Sequence, residues 1–117
     1  MRVNEAIHLE WSSMAKVLNE TEIEAALSQN PDWTVSDGKL CSRFKFADFK
    51  TAMAFVTMVA IESEKQNHHP TWTNTWNIVE FEISTHEAGD KVTEYDFVLA
   101  KSISEAASLL DGATSRG

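Results

Sequence analysis

At 117 residues the chain can enclose one hydrophobic core but not two, and 43% hydrophobic with 24% charged residues is the balance of an ordinary globular domain. Ten Lys and Arg against 18 Asp and Glu leave a formal charge of −8, which opposes the phosphate backbone of any nucleic acid and argues against direct DNA or RNA binding. No apolar run approaches the roughly 20 residues that span a bilayer. The first residues lack the basic start and apolar core of a secretory signal, and the single Cys41 cannot close an internal disulfide, so a reducing, cytoplasmic setting is expected.

Along the chain, Asn19 or Thr21 can cap a short helix in which Ile23, Ala26 and Leu27 recur at helical spacing until Asn30-Pro31. Trp33 to Ser36 and Lys39 to Phe46 bracket Asp37-Gly38, a dipeptide suited to the positive φ angles of a type I′ turn, which predicts a β-hairpin. Leu40, Ser42, Phe44 and Phe46 share one face of its second strand. Asp48 can cap a long helix from Phe49 to about Asn67, with Phe49, Ala52, Met53, Val56, Val59 and Ala60 as the expected inner stripe and Phe55, Met58 and Ile61 widening it. Thr71 to Thr85 is strand-like, Val79, Phe81 and Ile83 alternating with Glu80, Glu82 and Ser84. Thr93 with Asp96 three residues on resembles a capping box, less ideal than one with Glu or Gln, and opens a last helix bearing Phe97, Ala100, Ile103 and Ala107, which Asp111-Gly112 ends. This order has too few crossovers for a parallel sheet. It predicts a single α+β domain over 1–117, with its core at about 19–111, an antiparallel four-stranded sheet and about three helices on one face. The ends, Met1 to about Ala15 and Gly112 to Gly117, read as frayed, and Trp11 falls in the first of them.

Three of the four histidines fall in two short segments, Glu64-Lys65-Gln66-Asn67-His68-His69-Pro70 and Ser84-Thr85-His86-Glu87. Imidazole both gives and takes a proton near neutral pH, so convergence of the three would suit proton transfer or metal binding. Continued to Asn67, the long helix would set Glu64 one turn before His68, where the carboxylate could support the ring. Pro70 disfavours helical geometry at His69, so the paired imidazoles should diverge at a loop, with His86 at a strand end. Zinc is the weaker reading: adjacent histidines rarely face one ion, and no His-x-x-x-His or Cys pair is present. Trp33, Trp72 and Trp76 could be core or could wall a planar ligand, Trp72 and Trp76 sharing a strand face by even spacing.

Glu64-x-x-x-His68-His69-Pro70, an aromatic residue at Trp76, then His86 and Asp96 closely resemble the signature of the pterin-4a-carbinolamine dehydratases, also called dimerisation cofactors of a homeodomain transcription factor. The resemblance runs from about Thr21 to Leu110 and includes Trp33, Phe44-x-Phe46-x-Asp48-Phe49, His69-Pro70-x-Trp72, Ser84-Thr85-His86-Glu87 and Leu99-Ala100-Lys101. It implies removal of water from a 4a-hydroxytetrahydropterin to give the quinonoid dihydropterin after aromatic amino-acid hydroxylation, in recycling of a tetrahydrobiopterin-type cofactor. No metal and no organic cofactor is implied. His68 and His86 would be the acid and base groups, His69 and Glu64 would assist, and Asn67 to His69 with Ser84, Thr85, His86 and Glu87 would line the pterin. Trp33 and Asp96 would be further substrate contacts, the latter at the helix start. The resemblance also implies a homodimer or homotetramer, an aromatic amino-acid hydroxylase in the same pathway and, as the alternative function, a non-catalytic dimerisation or coactivator module. The chain departs from the pattern at Trp76, where the family often has Tyr, at Tyr95, where it often has Arg, and near Ala88-Gly89.

Overall fold

A computed structural model describes residues 16–114, so Trp11 and the expected fraying at 1–15 and 115–117 lie outside the described residues. The elements follow in the order α1 (Glu20–Gln29), β1 (Thr34–Ser36), β2 (Lys39–Lys45), α2 (Phe49–Gln66), β3 (Thr71–Thr75), β4 (Ile78–Ile83), a short 3₁₀ turn (His86–Ala88), α3 (Glu94–Leu109) and β5 (Ala113–Thr114). The sheet is antiparallel in the order β1-β2-β4-β3, with β5 pairing to β2. The fold is therefore α+β, with one more strand than the four expected. β5 lies in the stretch read as a frayed end: Gly112 donates its N–H to Ala107 O, and Ala113 and Thr114 pair with Lys45 and Phe44. A Cβ at Gly112 would collide with the Phe46 ring, so glycine is what lets the chain turn closely over the core there.

The local signals account for most boundaries. Asn19 accepts from Glu22 N–H while Glu22 accepts from Asn19 N–H, a full capping box, so Asn19 rather than Thr21 is the cap of α1. Asp48 caps α2, and bonds from the Thr51 hydroxyl and backbone N–H hold its carboxyl below the usual range. In the β1–β2 turn Asp37 and Gly38 both take positive φ, 54° and 73°, as a type I′ turn requires. Leu40, Ser42 and Phe44 of β2 and Val79, Phe81 and Ile83 of β4 face the helices and are buried, as is Phe46 just beyond β2. The opposite face carries Cys41, Arg43, Glu80 and Glu82 around a hollow of about 700 Å³ that none of the histidines lines. Burial pushes the Cys41 thiol up, reinforced by Glu82, which suppresses its thiolate.

The inner stripe of α2 differs from the expected one. Ala52, Phe55, Val59 and Ser63 are buried, whereas Phe49, Met53 and Ala60 face outward with Ile61. Helical spacing alone admits both stripes. The choice falls to Phe55, whose ring fits among Phe44, Phe46 and Phe81 at centroid separations of 5.6, 4.6 and 5.7 Å. From α3, Phe97, Ala100, Ile103 and Ala107 enter the core as expected, joined by Leu99 and Ala106. Among the described residues no helix is long and apolar enough to cross a membrane.

Phe55 is 0% exposed and touches three other rings, so Phe55→Ala should lower unfolding free energy by about 3–5 kcal/mol in urea titrations. A loss under about 1 kcal/mol would show that the cluster closes over the gap and that the ring is not central.

Candidate active site

The two histidine segments meet because β3 and β4 are antiparallel neighbours. Thr71 pairs with Glu82, so the residues just before β3 and just after β4 lie at the same end of the sheet. α3 begins at that end as well, since Thr85 N–H donates to Lys91 O and Leu18 N–H donates to Val92 O.

The helix that delivers the histidine pair stops one residue earlier than expected. α2 closes at Gln66, and Asn67 adopts the left-handed conformation (φ 49°, ψ 43°), its N–H bonded back to Glu64 O. His68 therefore leaves the helical path, and the predicted pairing of Glu64 with His68 does not form. Glu64 Oε1 instead meets His69 Nε2 at 2.7 Å on the surface. His68 turns inward, its Nε2 2.6 Å from Oδ1 of Asp96.

Asp96 is 0% exposed, and each of its oxygens is engaged. Oδ1 meets His68, while Oδ2 accepts from Thr93 N–H at 2.7 Å and from the Thr85 hydroxyl at 3.0 Å. Burying a carboxylate costs several kcal/mol unless such donors replace water, and here they do. Because a carboxylate only accepts, His68 Nε2 carries the hydrogen between them, and Nδ1 is the ring nitrogen turned away from the acid. The Tyr95 ring stands edge-on to His68 at 6.5 Å, where the family pattern often has Arg. Desolvation, then Glu94, holds its phenol above the usual range, so it stays protonated at neutral pH.

His86 opens the 3₁₀ turn and is exposed, with Nδ1 3.3 Å from Asp90 Oδ1. Asn67, His69 and Glu87 are exposed and Ser84 half-buried, so the rim offers several polar groups. Three residues expected at the substrate lie inside instead. Thr85 and Asp96 are at 0% exposure, and Trp33, at 2%, packs on Phe44 and Phe81 with its indole N–H on Ser104 Oγ. Trp72 sits on β3, but Trp76 is not on a strand: at φ 51° it occupies the turn to β4, so the two do not share a strand face. The sequence gives no sign of the Asp90 partner of His86 beyond its i,i+4 spacing, and it marks Thr93 as a cap without showing its hydroxyl contact with Thr85. Among the described residues no group of three or more His, Cys, Asp or Glu is arranged to hold a metal ion.

An α+β domain with carboxylate-paired histidines gathered at one end of its sheet is the class that the fold and site define. Comparison with known proteins supplies the family. Residues 16–106 match the family described as Pterin 4 alpha carbinolamine dehydratase, and the chain belongs to it. Relatives bearing the pterin-4-alpha-carbinolamine dehydratase name include one from Solibacter usitatus, 45% identical over 87 residues, spanning 74% of this chain and 90% of the relative. Another, from Prochlorococcus marinus, is 43% identical over 88 residues, spanning 75% and 91%. A Brucella melitensis crystal structure, of a protein described as a transcriptional coactivator/pterin dehydratase, has a TM-score of 0.74 and 36% identity over 79% of this chain and 99% of that one.

The Asp96 network generates a stability prediction. Asp96→Asn must turn an amide N–H₂ toward either His68 or the Thr85 and Thr93 donors, so it should cost about 2–3 kcal/mol by urea unfolding. Glu64→Gln, on the exposed His69 pair, should cost under about 0.5 kcal/mol. Equal costs for the two would mean that the buried acid is not knitting the site together.

Proposed function

We propose that the chain dehydrates a 4a-hydroxytetrahydropterin to the quinonoid dihydropterin, with His68 and His86 handling the protons and His69 and Glu64 assisting. The observation that carries this reading is the inward His68–Asp96 pair, which leaves one imidazole nitrogen of fixed character facing away from the acid. In the elimination, the bond from ring carbon to hydroxyl breaks as the leaving oxygen takes a proton and departs as water. A ring N–H loses its proton, and its electron pair becomes the new C=N bond. His68 suits the second task, its Nδ1 lone pair accepting the proton while Asp96 holds Nε2–H. His86 suits the first, giving a proton from Nε2 in its imidazolium form and regaining one from solvent, to which its side chain is 89% exposed. The two rings end with one proton exchanged, and solvent resets them. Asn67, Ser84 and Glu87 supply polar groups around the pterin edge. Nothing in this scheme calls for a metal or an organic cofactor, and the setting we propose is the cytoplasm, downstream of an aromatic amino-acid hydroxylase.

A coupled assay tests this: a phenylalanine hydroxylase generates the 4a-hydroxypterin, and loss of its ultraviolet signal is timed with and without the protein. Faster decay is expected, falling by about 10²–10⁴-fold in His68→Ala or His86→Ala. Unchanged decay in the double variant would refute the scheme.

The description of the Brucella relative joins two roles, and the outward Phe49, Met53 and Ile61 of α2 favour self-association as the companion property. We propose a homodimer or homotetramer, with a coactivator-type interaction as the alternative function. Light scattering should give two or four times the chain mass of 13.1 kDa, and a 13.1 kDa particle at micromolar concentration would end that proposal.

A further inference from the structure

Thr85 was expected to line the substrate, yet its side chain is sealed from solvent and its bonds all run inward. Its hydroxyl donates to Asp96 Oδ2 at 3.0 Å and lies 2.7 Å from the Thr93 hydroxyl, which in turn accepts from Tyr95 N–H. A hydroxyl has one hydrogen. Since that of Thr85 goes to Asp96, the Thr93 hydroxyl must donate to Thr85, and the chain Thr93 to Thr85 to Asp96 has one direction only. His68 Nε2–H arrives at the other Asp96 oxygen, so the same carboxylate terminates both the threonine relay and the imidazole.

The backbone of Thr85 is equally committed. Its N–H donates to Lys91 O at 2.9 Å, and its carbonyl accepts from Ala88 N–H at 3.1 Å and from Asp90 N–H at 3.0 Å. These bonds close the short loop whose first residue is His86 and which carries Asp90, the His86 partner. One residue thus holds the loop of one imidazole through its backbone and the carboxylate of the other through its side chain. Packing alone would be served as well by valine, which has the same shape. The hydroxyl is what valine lacks, and its partners are Asp96 and Thr93.

We infer that Thr85 is a positioning residue, whose buried hydroxyl, donating to Asp96 Oδ2, fixes the carboxylate that receives His68 Nε2–H and so sets that ring relative to the His86 loop. This rests on the dehydratase reading for its catalytic consequence but not for its structural one. Thr85→Val leaves Asp96 Oδ2 one donor short and the Thr93 hydroxyl without its acceptor, while Thr85→Ser keeps both bonds.

The test joins kinetics to a signature of the ring itself. Long-range ¹H–¹⁵N spectra of the histidine side chains should show wild-type His68 as the Nε2–H tautomer with that hydrogen protected from exchange with water, and Thr85→Val should broaden the Nε2–H signal and speed its exchange as the carboxylate loosens. In the coupled assay Thr85→Val should lower kcat about tenfold, the equivalent of one hydrogen bond, with KM changed by less than about twofold and Thr85→Ser recovering most of the loss. A wild-type His68 found mainly as Nδ1–H overturns the inference even if Thr85→Val does not fold. So does a folded Thr85→Val with a wild-type ring spectrum, or a folded Thr85→Ser as impaired as the valine variant. Should wild-type protein show no dehydration, the dehydratase reading fails, and the ring spectra still decide the role of Thr85.

Discussion

A carboxylate with no contact to water has to be satisfied by the protein, and Asp96 is that carboxylate. Its donors come from three places in the chain: His68 after α2, Thr85 after β4 and the Thr93 backbone before α3. Each is held by structure that would otherwise have no reason to converge. Asp96 is also the third residue of its own helix, completing the capping box with Thr93 at the end where the helix dipole favours negative charge. The acid therefore starts α3, anchors the end of β4 and draws His68 under cover. Loss of any one donor leaves a buried polar group short, which is why the arrangement is closer to all-or-none than a sum of separate contacts.

The three histidines each face a carboxylate, but at very different depths. His69 with Glu64 and His86 with Asp90 stand in solvent, where such pairs contribute about 0–1 kcal/mol and give way easily. His68, 13% exposed against a fully enclosed Asp96, cannot turn aside without cost. The site thus combines one ring of fixed orientation with two that can adapt around a ligand, a division of labour suited to a reaction in which one group must meet a defined atom and another must trade protons with bulk water.

Much of this was legible in sequence because much of it is local. Asp37-Gly38 dictates its turn, Asp48 and Thr93 their caps, and the alternation of Val79, Phe81 and Ile83 its buried face. Where reading failed, tertiary competition decided. The stripe of α2 could have centred on Met53 or on Phe55, and only the ring cluster on the sheet selects Phe55. Trp76 has a strand-former's side chain but sits where the hairpin must reverse, and Asn77 beside it is engaged by the Phe46 backbone on both its carbonyl and its amide. Glu64 and His68 are correctly spaced for a helical pair and miss because Asn67 leaves the helix between them. The fold, the family resemblance and the gathering of histidines were visible in sequence. Which acid serves which imidazole was not, because that depends on a bond between residues 28 positions apart.

The left-handed Asn67 makes the length of α2 a constraint in its own right. Each residue of an α-helix advances the chain by about 100° of rotation, so the buried side of Phe55 and Val59 and the departure point of His68 are geared to one another through the intervening turns. Adding or deleting a single residue between Val59 and Gln66 would keep the helix intact while swinging its exit a quarter-turn or more away from Asp96. The side chains along this segment are thus far freer to change than its residue count, on which the burial of His68 depends.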